Sequence, residues 1–363
     1  MDNRQAKKYS NTKLVLGISE AVASFFLLLL FIWLGYSSKL ENYLRLSVSN
    51  DYLILLFYVL MLGLASSVLF SPLNYYAGFY LEHKYNLSNQ TFMKWIWEGL
   101  KGTMVGSVIG LPLLLLFYLV LKNFGIMWWL PFAFLMFIFS VLLAQILPVV
   151  IMPIFYKITP VENENLKERI IALGKDAGLN VENVFKFNMS KNTKKANAAF
   201  AGLGKTKRIL LGDTLLDNYT DDEIETVIAH ELGHYRKKHI IKNIAVGTAS
   251  SFATFFLIAQ FHKISLSWFG FTELTQISSL PLLALWGALI GLIQTPISNY
   301  ISRKFEYEAD EYAVSATDKS EAFIRTLNKL TEQNLGDKEP HPLVEWFFYS
   351  HPSIKKRIAS IRS

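Results

Sequence analysis

The chain has 363 residues, a formal net charge of +7 and no cysteine, which excludes disulfides, thiolate zinc ligands and a cysteine nucleophile. Apolar residues make up 52% of the chain and charged residues 18%, below the roughly 25% charged residues of an ordinary soluble domain. Because the missing charges leave long uncharged stretches, the composition indicates a membrane protein and argues against a soluble enzyme.

Six stretches lack basic residues and are long enough to cross a bilayer, which takes about 20 apolar residues. They lack the polar face of helices in a soluble core, and they are too long and too numerous for a cleaved signal peptide. The sequence therefore predicts a polytopic α-helical membrane protein with spans at Leu14–Tyr36, Tyr52–Tyr80, Thr103–Leu121, Asn123–Tyr156, Asn243–Phe261 and Leu280–Ser302.

The basic residues predict how these spans are oriented. If the basic tail from Arg4 to Lys13 is cytoplasmic, six spans place both termini on that side. The loops that then face outward hold only Lys39, Arg45, Lys122 and Lys263, as the positive-inside rule expects. We therefore interpret the net charge as a topology signal, expect both termini and the active site on the cytoplasmic side, and expect no nucleic-acid partner.

The composition also divides the chain into two parts. Residues 1–156 are membrane helices, and a polar, aromatic-rich connection near 81–102 is expected to lie at the cytoplasmic interface, where tryptophan is stable. Residues 157–363 are more polar and are interrupted by two membrane helices at about 243–261 and 280–302.

The polar segment that begins at Lys157 has the pattern of a small sheet beside a helix. Apolar spacing and a terminal glycine predict a helix over Asn165–Gly178. Three short strands are predicted, the last two joined by a glycine-rich turn at 202–206, and their bounds are Val184–Asn188, Asn197–Ala201 and Arg208–Leu211.

A capping box at Thr220–Glu223 opens an amphipathic helix that carries the pattern His230-Glu231-Leu-Gly-His234 and is expected to run into the fifth span. Residues four apart on a helix lie on the same face, about 6 Å from each other, so His230 and His234 can bind one Zn²⁺. Glu231 then lies beside the metal and can take a proton from water and pass it to a leaving amine. The pattern predicts one zinc ion per chain.

A third protein ligand is needed, and glutamate is a usual one. Just after the sixth span, four carboxylates fall within six residues, at Glu306, Glu308, Asp310 and Glu311. Glu306 and Asp310 are four apart on one helix face, so one can bind zinc while the other orients a ligand imidazole. Spacing alone does not choose between Glu306 and Glu308, and a solvated acidic face is the plainer interpretation of Glu308 and Glu311.

The His230–His234 motif together with Phe305-Glu-Tyr-Glu-Ala-Asp310 resembles the membrane zinc metallopeptidases that include CaaX prenyl protease 1 and the HtpX-like proteases. Three further segments are similar to that family, at 81–91, 197–216 and 334–358. The five motifs occur in the family's order and extend the resemblance over nearly all of the chain from about residue 50.

The resemblance implies roles for individual residues. His230, His234 and Glu306 would be the zinc ligands, Glu231 the general base, and Asp310 a carboxylate behind a ligand that is sometimes assigned as a proton donor. Asn197 and Ala198 would hold an extended peptide by strand pairing, and His351 and Arg357 would lie near the zinc. His351 is a candidate for stabilising the tetrahedral oxyanion.

Plainer interpretations of the last two residues stay open. His351, which precedes Pro352, could have no role beyond starting a helix. Lys355-Lys356-Arg357 could be a solvated basic face.

The resemblance also implies a fold of about six to seven transmembrane helices around a chamber, with a small cytoplasmic α/β zinc peptidase domain of the gluzincin type. Eukaryotic CaaX proteases are longer and have an acidic insert before the zinc helix, whereas only 14 residues separate Leu215 from His230 here. HtpX-like enzymes have two spans before the catalytic domain and this chain has four predicted, so it is nearer the CaaX type.

Three functions are compatible with these patterns. The first is a zinc endopeptidase that cuts peptides near the cytoplasmic membrane face, with prenylated CaaX proteins as the candidate substrates. The second is the same chemistry used for quality control of membrane proteins, as in the HtpX-like enzymes. The third is a transporter with a vestigial zinc site, which the scarcity of charged residues in the spans disfavours. The expected partners are a peptide or protein substrate and the lipid bilayer.

Overall fold

The structure is a computed structural model that describes residues 3–179, 184–202 and 208–363. The glycine-rich turn predicted at 202–206 lies, apart from Gly202, outside the described residues.

The N-terminal part of the chain is helical. Two π-helical turns, at Tyr76–Tyr80 and Leu147–Ile151, join helices that continue one another. The helices are α1 (Asn3–Trp33), α2 (Tyr36–Arg45), α3 (Asp51–Tyr75), α4 (Leu81–Lys84), α5 (Phe92–Phe124), α6 (Trp129–Ile146) and α7 (Met152–Phe155).

Five helical segments of the described chain are long and apolar enough to cross a membrane, namely Asn3–Trp33, Asp51–Lys84, Phe92–Phe155, His239–Ser265 and Ile277–Thr317. Their outer faces carry large exposed apolar side chains such as Val68, Val108 and Ile293, which are 74%, 75% and 69% exposed. Apolar surface of this extent is expected to contact lipid rather than water.

The segment Phe92–Phe155 folds back on itself. Gly125, with φ of +50°, follows α5, and a 3₁₀ turn at Gly125–Trp128 leads into α6. The rings of Phe117 and Phe132 are 5.2 Å apart, whereas a continuous helix would separate these residues by about 22 Å. The segment therefore contains two helices packed side by side, where the sequence analysis counts two spans.

The predicted interfacial connection near 81–102 is mostly helical, because α5 begins at Phe92. The short loop before α5 contacts the second half of the chain through a β-bridge between Ser88 and Thr193. Lys194 N–H also donates to the carbonyl of Leu87, with an N···O distance of 2.9 Å. This loop therefore ties the membrane helices to the sheet.

A four-stranded sheet follows, with the strand order β1-β2-β4-β3. Its strands are β1 (Ile158–Pro160), β2 (Val184–Phe187), β3 (Ala198–Ala201) and β4 (Arg208–Gly212). The pair β2–β4 is parallel and the other two pairs are antiparallel. Helix α8 (Glu164–Asp176) packs on the sheet through Leu166 and Ile170. The sequence predicts three of these strands and misses β1, while the order leaves β3 at an edge.

The helix with the His-Glu pattern is α10 (Asp221–Arg236), preceded by the short α9 (Asp213–Asn218). The predicted capping box forms, since Glu223 N–H donates to Thr220 Oγ1 and Thr220 N–H donates to Glu223 Oε2. Helix α10 does not run into the next span as expected. Lys238 adopts a left-handed conformation, with φ of 59°, and α11 (His239–Ser265) starts in a new direction.

Helix α12 (Pro281–Thr317) has 37 residues and continues well past the predicted end of the sixth span. Glu306 and Asp310 therefore lie on the same helix that crosses the membrane. The chain closes with α13 (Ser320–Gln333), α14 (Pro342–Phe348) and α15 (Ile354–Arg362).

Helices α10 and α12 approach closely at Gly233, between the two histidines of the motif. An ideal Cβ on Gly233 would lie 3.0 Å from both Cα and O of Ala309. We therefore expect Gly233→Ala to destabilise the fold by about 1–3 kcal/mol, measured by denaturant unfolding in detergent. In the matched variant Gly247→Ala, the new Cβ meets nothing within 4 Å, so its stability should be equal or higher because alanine favours helix. Equal stability of Gly233→Ala and the wild type would contradict this packing.

Candidate metal centre and active site

Three side chains from two helices converge on one point. The Nε2 atoms of His230 and His234 on α10 are 3.3 Å apart. Glu306 on α12 places its two carboxylate oxygens 3.5 Å from His230 Nε2 and 3.3 Å from His234 Nε2. Ligands of a tetrahedral zinc at about 2.0–2.1 Å lie about 3.3 Å from one another. The spacing therefore fits zinc.

The hydrogen bonding of these groups also fits a cation. Glu306 is 4% exposed, and its buried Oε2 accepts no well-aligned hydrogen bond, although His351 Nδ1 lies 2.9 Å away. Burying a carboxylate oxygen that accepts no well-aligned hydrogen bond is costly, and a metal ion between the glutamate and the two imidazoles would offset that cost. These three residues therefore fit the zinc ion that the sequence pattern predicts.

Asp310 lies behind the first histidine. Its Oδ1 is 2.9 Å from His230 Nδ1, and the Arg357 guanidinium binds it with two hydrogen bonds, of 2.7 Å from Nε and 2.5 Å from Nη2. Because a carboxylate only accepts, His230 Nδ1 carries the proton and the Nε2 lone pair is free for a metal.

The carboxylates make the site favourable for positive charge. Burial lowers the pKa of His230, but its hydrogen bonds to Asp310 and Glu306 outweigh burial and raise this pKa to about 9. The Asp310 and Glu306 carboxylates on α12 thus favour positive charge at His230, which a proton on Nε2 supplies when no metal is bound and the metal supplies when it displaces that proton. A divalent metal ion suits both this electrostatic field and these ligands.

Glu231 lines a cavity of about 170 Å³ beside His230 and Glu306, two of the three candidate metal ligands. The cavity brings together most of the residues that the sequence analysis selects, and its walls include Asn197, Ala198, His230, Glu231, Glu306, His351 and Arg357. Residues far apart in sequence thus meet at one concave site, which is the usual form of an active site.

Asn197 and Ala198 reach this cavity because β3 is an edge strand. Asn197 C=O accepts from Gly212 N–H on β4, with an N···O distance of 2.9 Å. The pair β3–β4 is antiparallel, so β4 occupies one side of β3. The cavity lies beside the strand end that holds Asn197 and Ala198.

The structure separates the three basic residues near the C-terminus. Lys355 and Lys356 have side chains 70% and 58% exposed, whereas the Arg357 side chain is 12% exposed and binds Asp310. The solvated-face interpretation therefore describes Lys355 and Lys356 and is wrong for Arg357.

His351 does not begin a helix, because α15 begins at Ile354 and has Ser353 at its N-cap position. The Nδ1 atom of His351 lies 2.9 Å from Glu306 Oε2, and its ring is 64% exposed. The loop between α14 and α15 thus holds this imidazole over the site.

The structure also decides between the two candidate glutamates. Glu306 joins the histidines, while Glu308 points to another partner, His239, with an Nε2···Oε2 distance of 2.9 Å. The interpretation of Glu308 as part of a solvated acidic face is therefore wrong, whereas Glu311, 77% exposed, fits it. His239 was not predicted from the sequence, where its one signal is that it is a third histidine, five residues after His234.

The fold and the site define a membrane zinc metallopeptidase. The family model described as peptidase family M48 matches residues 160–363, and the model described as CAAX prenyl protease N-terminal, five membrane helices, matches residues 2–157. The chain belongs to peptidase family M48 and is a multi-pass integral membrane protein. These matches and the cluster of His230, His234 and Glu306, which could hold a metal ion, argue against the transporter hypothesis.

Individual relatives agree with this assignment. The protein named Uncharacterized metalloprotease YhfN, from Bacillus subtilis (strain 168), is 32% identical over 97% of this chain and 84% of its own length. CAAX prenyl protease 1 of Saccharomyces cerevisiae is 31% identical over 83% of this chain and 70% of its own length. The crystal structure of S. mikatae Ste24p superposes with a TM-score of 0.88 at 28% identity, covering 100% of this chain and 90% of that one.

Proposed function

We propose that this protein is a metalloendopeptidase of the CaaX prenyl protease 1 type in which His230, His234 and Glu306 hold one zinc ion. The triangle of ligand atoms, with edges of 3.3–3.5 Å, carries this proposal. When bound, zinc supplies Lewis acidity, which lowers the pKa of water and polarises a peptide carbonyl. The remaining steps fall to the side chains of the protein.

Glu231 is the proposed general base. It follows a ligand on α10 and lines the cavity beside Glu306. Its carboxylate accepts a proton from the attacking water and returns it to the leaving amine, a transfer that typically contributes about 10²–10⁴-fold to the rate.

Asp310 is proposed to act through His230. Its carboxylate is 2% exposed and is bound by both His230 and Arg357. It fixes the orientation and proton position of the ligand ring. Proton donation to substrate, the other role that the resemblance implies for Asp310, is less favoured by this burial.

His351 and Arg357 are proposed to stabilise the oxyanion that forms on the scissile carbonyl. Both line the cavity, and both approach Glu306 Oε2, at 2.9 Å from His351 Nδ1 and 3.5 Å from Arg357 Nη1. Donors preorganised beside the reacting carbonyl favour the transition state over the ground state.

Asn197 and Ala198 are proposed to bind the substrate as an added strand. They lie at the start of edge strand β3 and line the cavity. Main-chain pairing at a sheet edge gives affinity that depends little on side-chain sequence, which suits a protease with varied substrates.

The membrane arrangement that we propose has six crossings around a chamber. The N-terminal part, 1–156, contributes four, and the peptidase part, 157–363, contributes two and a small α/β domain of the gluzincin type. The excess of basic residues in the tail and even-numbered loops supports placing the α/β domain, the active site and both termini in the cytoplasm. The folding back at Gly125 supports the count of six.

A prenylated peptide is the proposed substrate class. Relatives from yeast, plant and human carry the name CAAX prenyl protease 1 or a homologue of it. A lipid chain held among apolar helices would add about 0.8 kcal/mol of binding per buried CH₂, so prenylation should lower KM far more than it changes kcat.

Cleavage of a farnesylated CaaX peptide and its non-prenylated twin by purified protein in detergent tests this substrate class. We expect at least a hundredfold preference in kcat/KM for the farnesylated peptide, since burying only four CH₂ equivalents is worth about 3 kcal/mol. A zinc chelator should abolish cleavage of both peptides, because both are cleaved at the same site.

Equal rates on both peptides would contradict the preference for a prenylated substrate but would not contradict the zinc peptidase activity. In that case, cleavage of unfolded membrane proteins would identify the quality-control function that the sequence analysis carries as the alternative.

A further inference from the structure

His239 is a buried histidine for which the proposed mechanism has no use. It is 1% exposed and lies at the first position of α11, just after the left-handed Lys238. Its ring stacks on Phe305 with centroids 4.2 Å apart and an interplanar angle of 9°. A buried, ring-stacked imidazole has a fixed orientation, so its hydrogen bonds have fixed directions as well.

Both nitrogens of His239 have partners. Nδ1 lies 2.9 Å from Nδ1 of His234, and Nε2 lies 2.9 Å from Oε2 of Glu308. Glu308 also has the Lys242 ammonium 3.5 Å away. The two imidazoles therefore form a continuous hydrogen-bonded chain from a zinc ligand to a carboxylate.

The chain of bonds fixes where each proton lies. A carboxylate only accepts hydrogen bonds, so His239 donates from Nε2 to Glu308. The neutral imidazole of His239 then presents Nδ1 as an acceptor, and His234 must donate from its own Nδ1. This leaves the lone pair on His234 Nε2, the atom that faces His230 and Glu306.

We propose that His239 and Glu308 are positioning residues that hold His234 in the tautomer and orientation that bind zinc. The inference rests on the proposed role of His234 as a ligand. The two ligand histidines then have separate anchors, since Asp310 contacts His230 directly and Glu308 reaches His234 only through His239. Partners of this kind typically change metal affinity by about 10–100-fold.

The backbone explains why the second anchor needs an intermediate residue. His234 is two residues from the end of α10 at Arg236, and Lys238, with φ of 59°, turns the chain so that His239 comes back beside it. Phe305, the residue before the ligand Glu306, supports the ring of His239 from α12. Three helices thus meet at His239, and their relative positions set the ligand geometry.

The test measures zinc dissociation constants by competition with a chelator on the full-length protein. His239→Phe keeps a ring for stacking on Phe305 but removes the acceptor, so we expect zinc to bind about 10–100-fold more weakly. His239→Asn returns an acceptor oxygen near the Nδ1 position and should recover at least tenfold of the loss. A role in packing alone predicts the opposite order, because asparagine packs less well than phenylalanine.

Glu308→Gln tests the far end of the chain with almost no change in volume. We expect its zinc affinity to fall about tenfold, while Glu311→Gln, three residues along the same helix and 77% exposed, should bind zinc like the wild type. The visible spectrum of the Co²⁺-substituted protein should change in Glu308→Gln and stay constant in Glu311→Gln. Glu308→Gln keeps the proposal testable if His239→Phe fails to fold.

Unchanged zinc affinity in Glu308→Gln and His239→Phe would overturn this proposal, as would equal affinity of the two His239 variants. His234→Ala separates this failure from failure of the ligand assignment. If His234→Ala loses zinc while the anchor variants keep it, only the anchor is wrong; if His234→Ala keeps zinc, the ligand assignment is wrong.

Discussion

Glu231→Gln is expected to lower the rate of peptide cleavage by about 10²–10⁴-fold, the usual contribution of a general base. Glutamine has nearly the same volume and cannot accept the proton of the attacking water. Because Glu231 is adjacent to a ligand but outside the group of ligand atoms that lie within 4.8 Å of one another, the variant should keep one zinc per chain. The measurements are kcat on a farnesylated peptide and metal content by mass spectrometry.

Glu168→Gln, on the exposed side of α8, is the matched control for Glu231→Gln and should cleave at the wild-type rate. Full activity of Glu231→Gln with zinc bound would show that another group accepts the proton. Loss of both activity and zinc would show that Glu231 holds the metal rather than the water.

Glu306→Gln is expected to lose zinc. Complete protein zinc sites bind with about 10–16 kcal/mol, so one of three protein ligands is worth about 3 kcal/mol or more, which is at least a hundredfold in the dissociation constant. An amide oxygen is a poorer ligand than a carboxylate and leaves the positive charge of zinc unbalanced in a buried site. The zinc dissociation constant should therefore rise while the rate of peptide cleavage falls.

Zinc content restored by raising free zinc should restore part of the cleavage activity of Glu306→Gln, since Glu231 is intact. Glu311→Gln, five residues along the same helix and 77% exposed, should bind zinc like the wild type. Wild-type zinc affinity in Glu306→Gln would contradict the assignment of the third ligand.

Local sequence rules predict the parts of the site that lie within one helix. The capping box at Thr220 and the spacing of His230 and His234 depend on contacts within four residues, and both form. The same holds for Glu306 and Asp310, which are four apart and both face α10. Their common face follows from helix geometry alone.

The choice of Glu306 over Glu308 depends on packing between helices. Residues two apart on a helix point about 200° away from each other, so one of them must face away from α10. The close approach of Gly233 to Ala309 sets the rotation of α12 about its own axis relative to α10. Nothing in the sequence around either residue predicts that contact. The sequence alone therefore does not decide which of the two glutamates is the ligand.

The break between α10 and α11 was not predictable for a related reason. A left-handed residue in such a turn is usually glycine or asparagine, whereas this chain has Lys238 there. No glycine, proline or asparagine lies between His234 and Lys242 to mark the end of a helix. Without the break, His239 would not lie beside His234, so its contact with Glu308 was also not predicted. Strand β1 was missed because three residues carry too little pattern and depend on pairing with β2.

The position of the zinc ion in crystals of this protein is the most direct test of the account. Diffraction data collected at the zinc absorption edge should show one anomalous peak per chain, about 2.0–2.2 Å from His230 Nε2, His234 Nε2 and a carboxylate oxygen of Glu306. A peak coordinated by His239 or Glu308 instead, or a fully active protein with no peak at this triad, would contradict it.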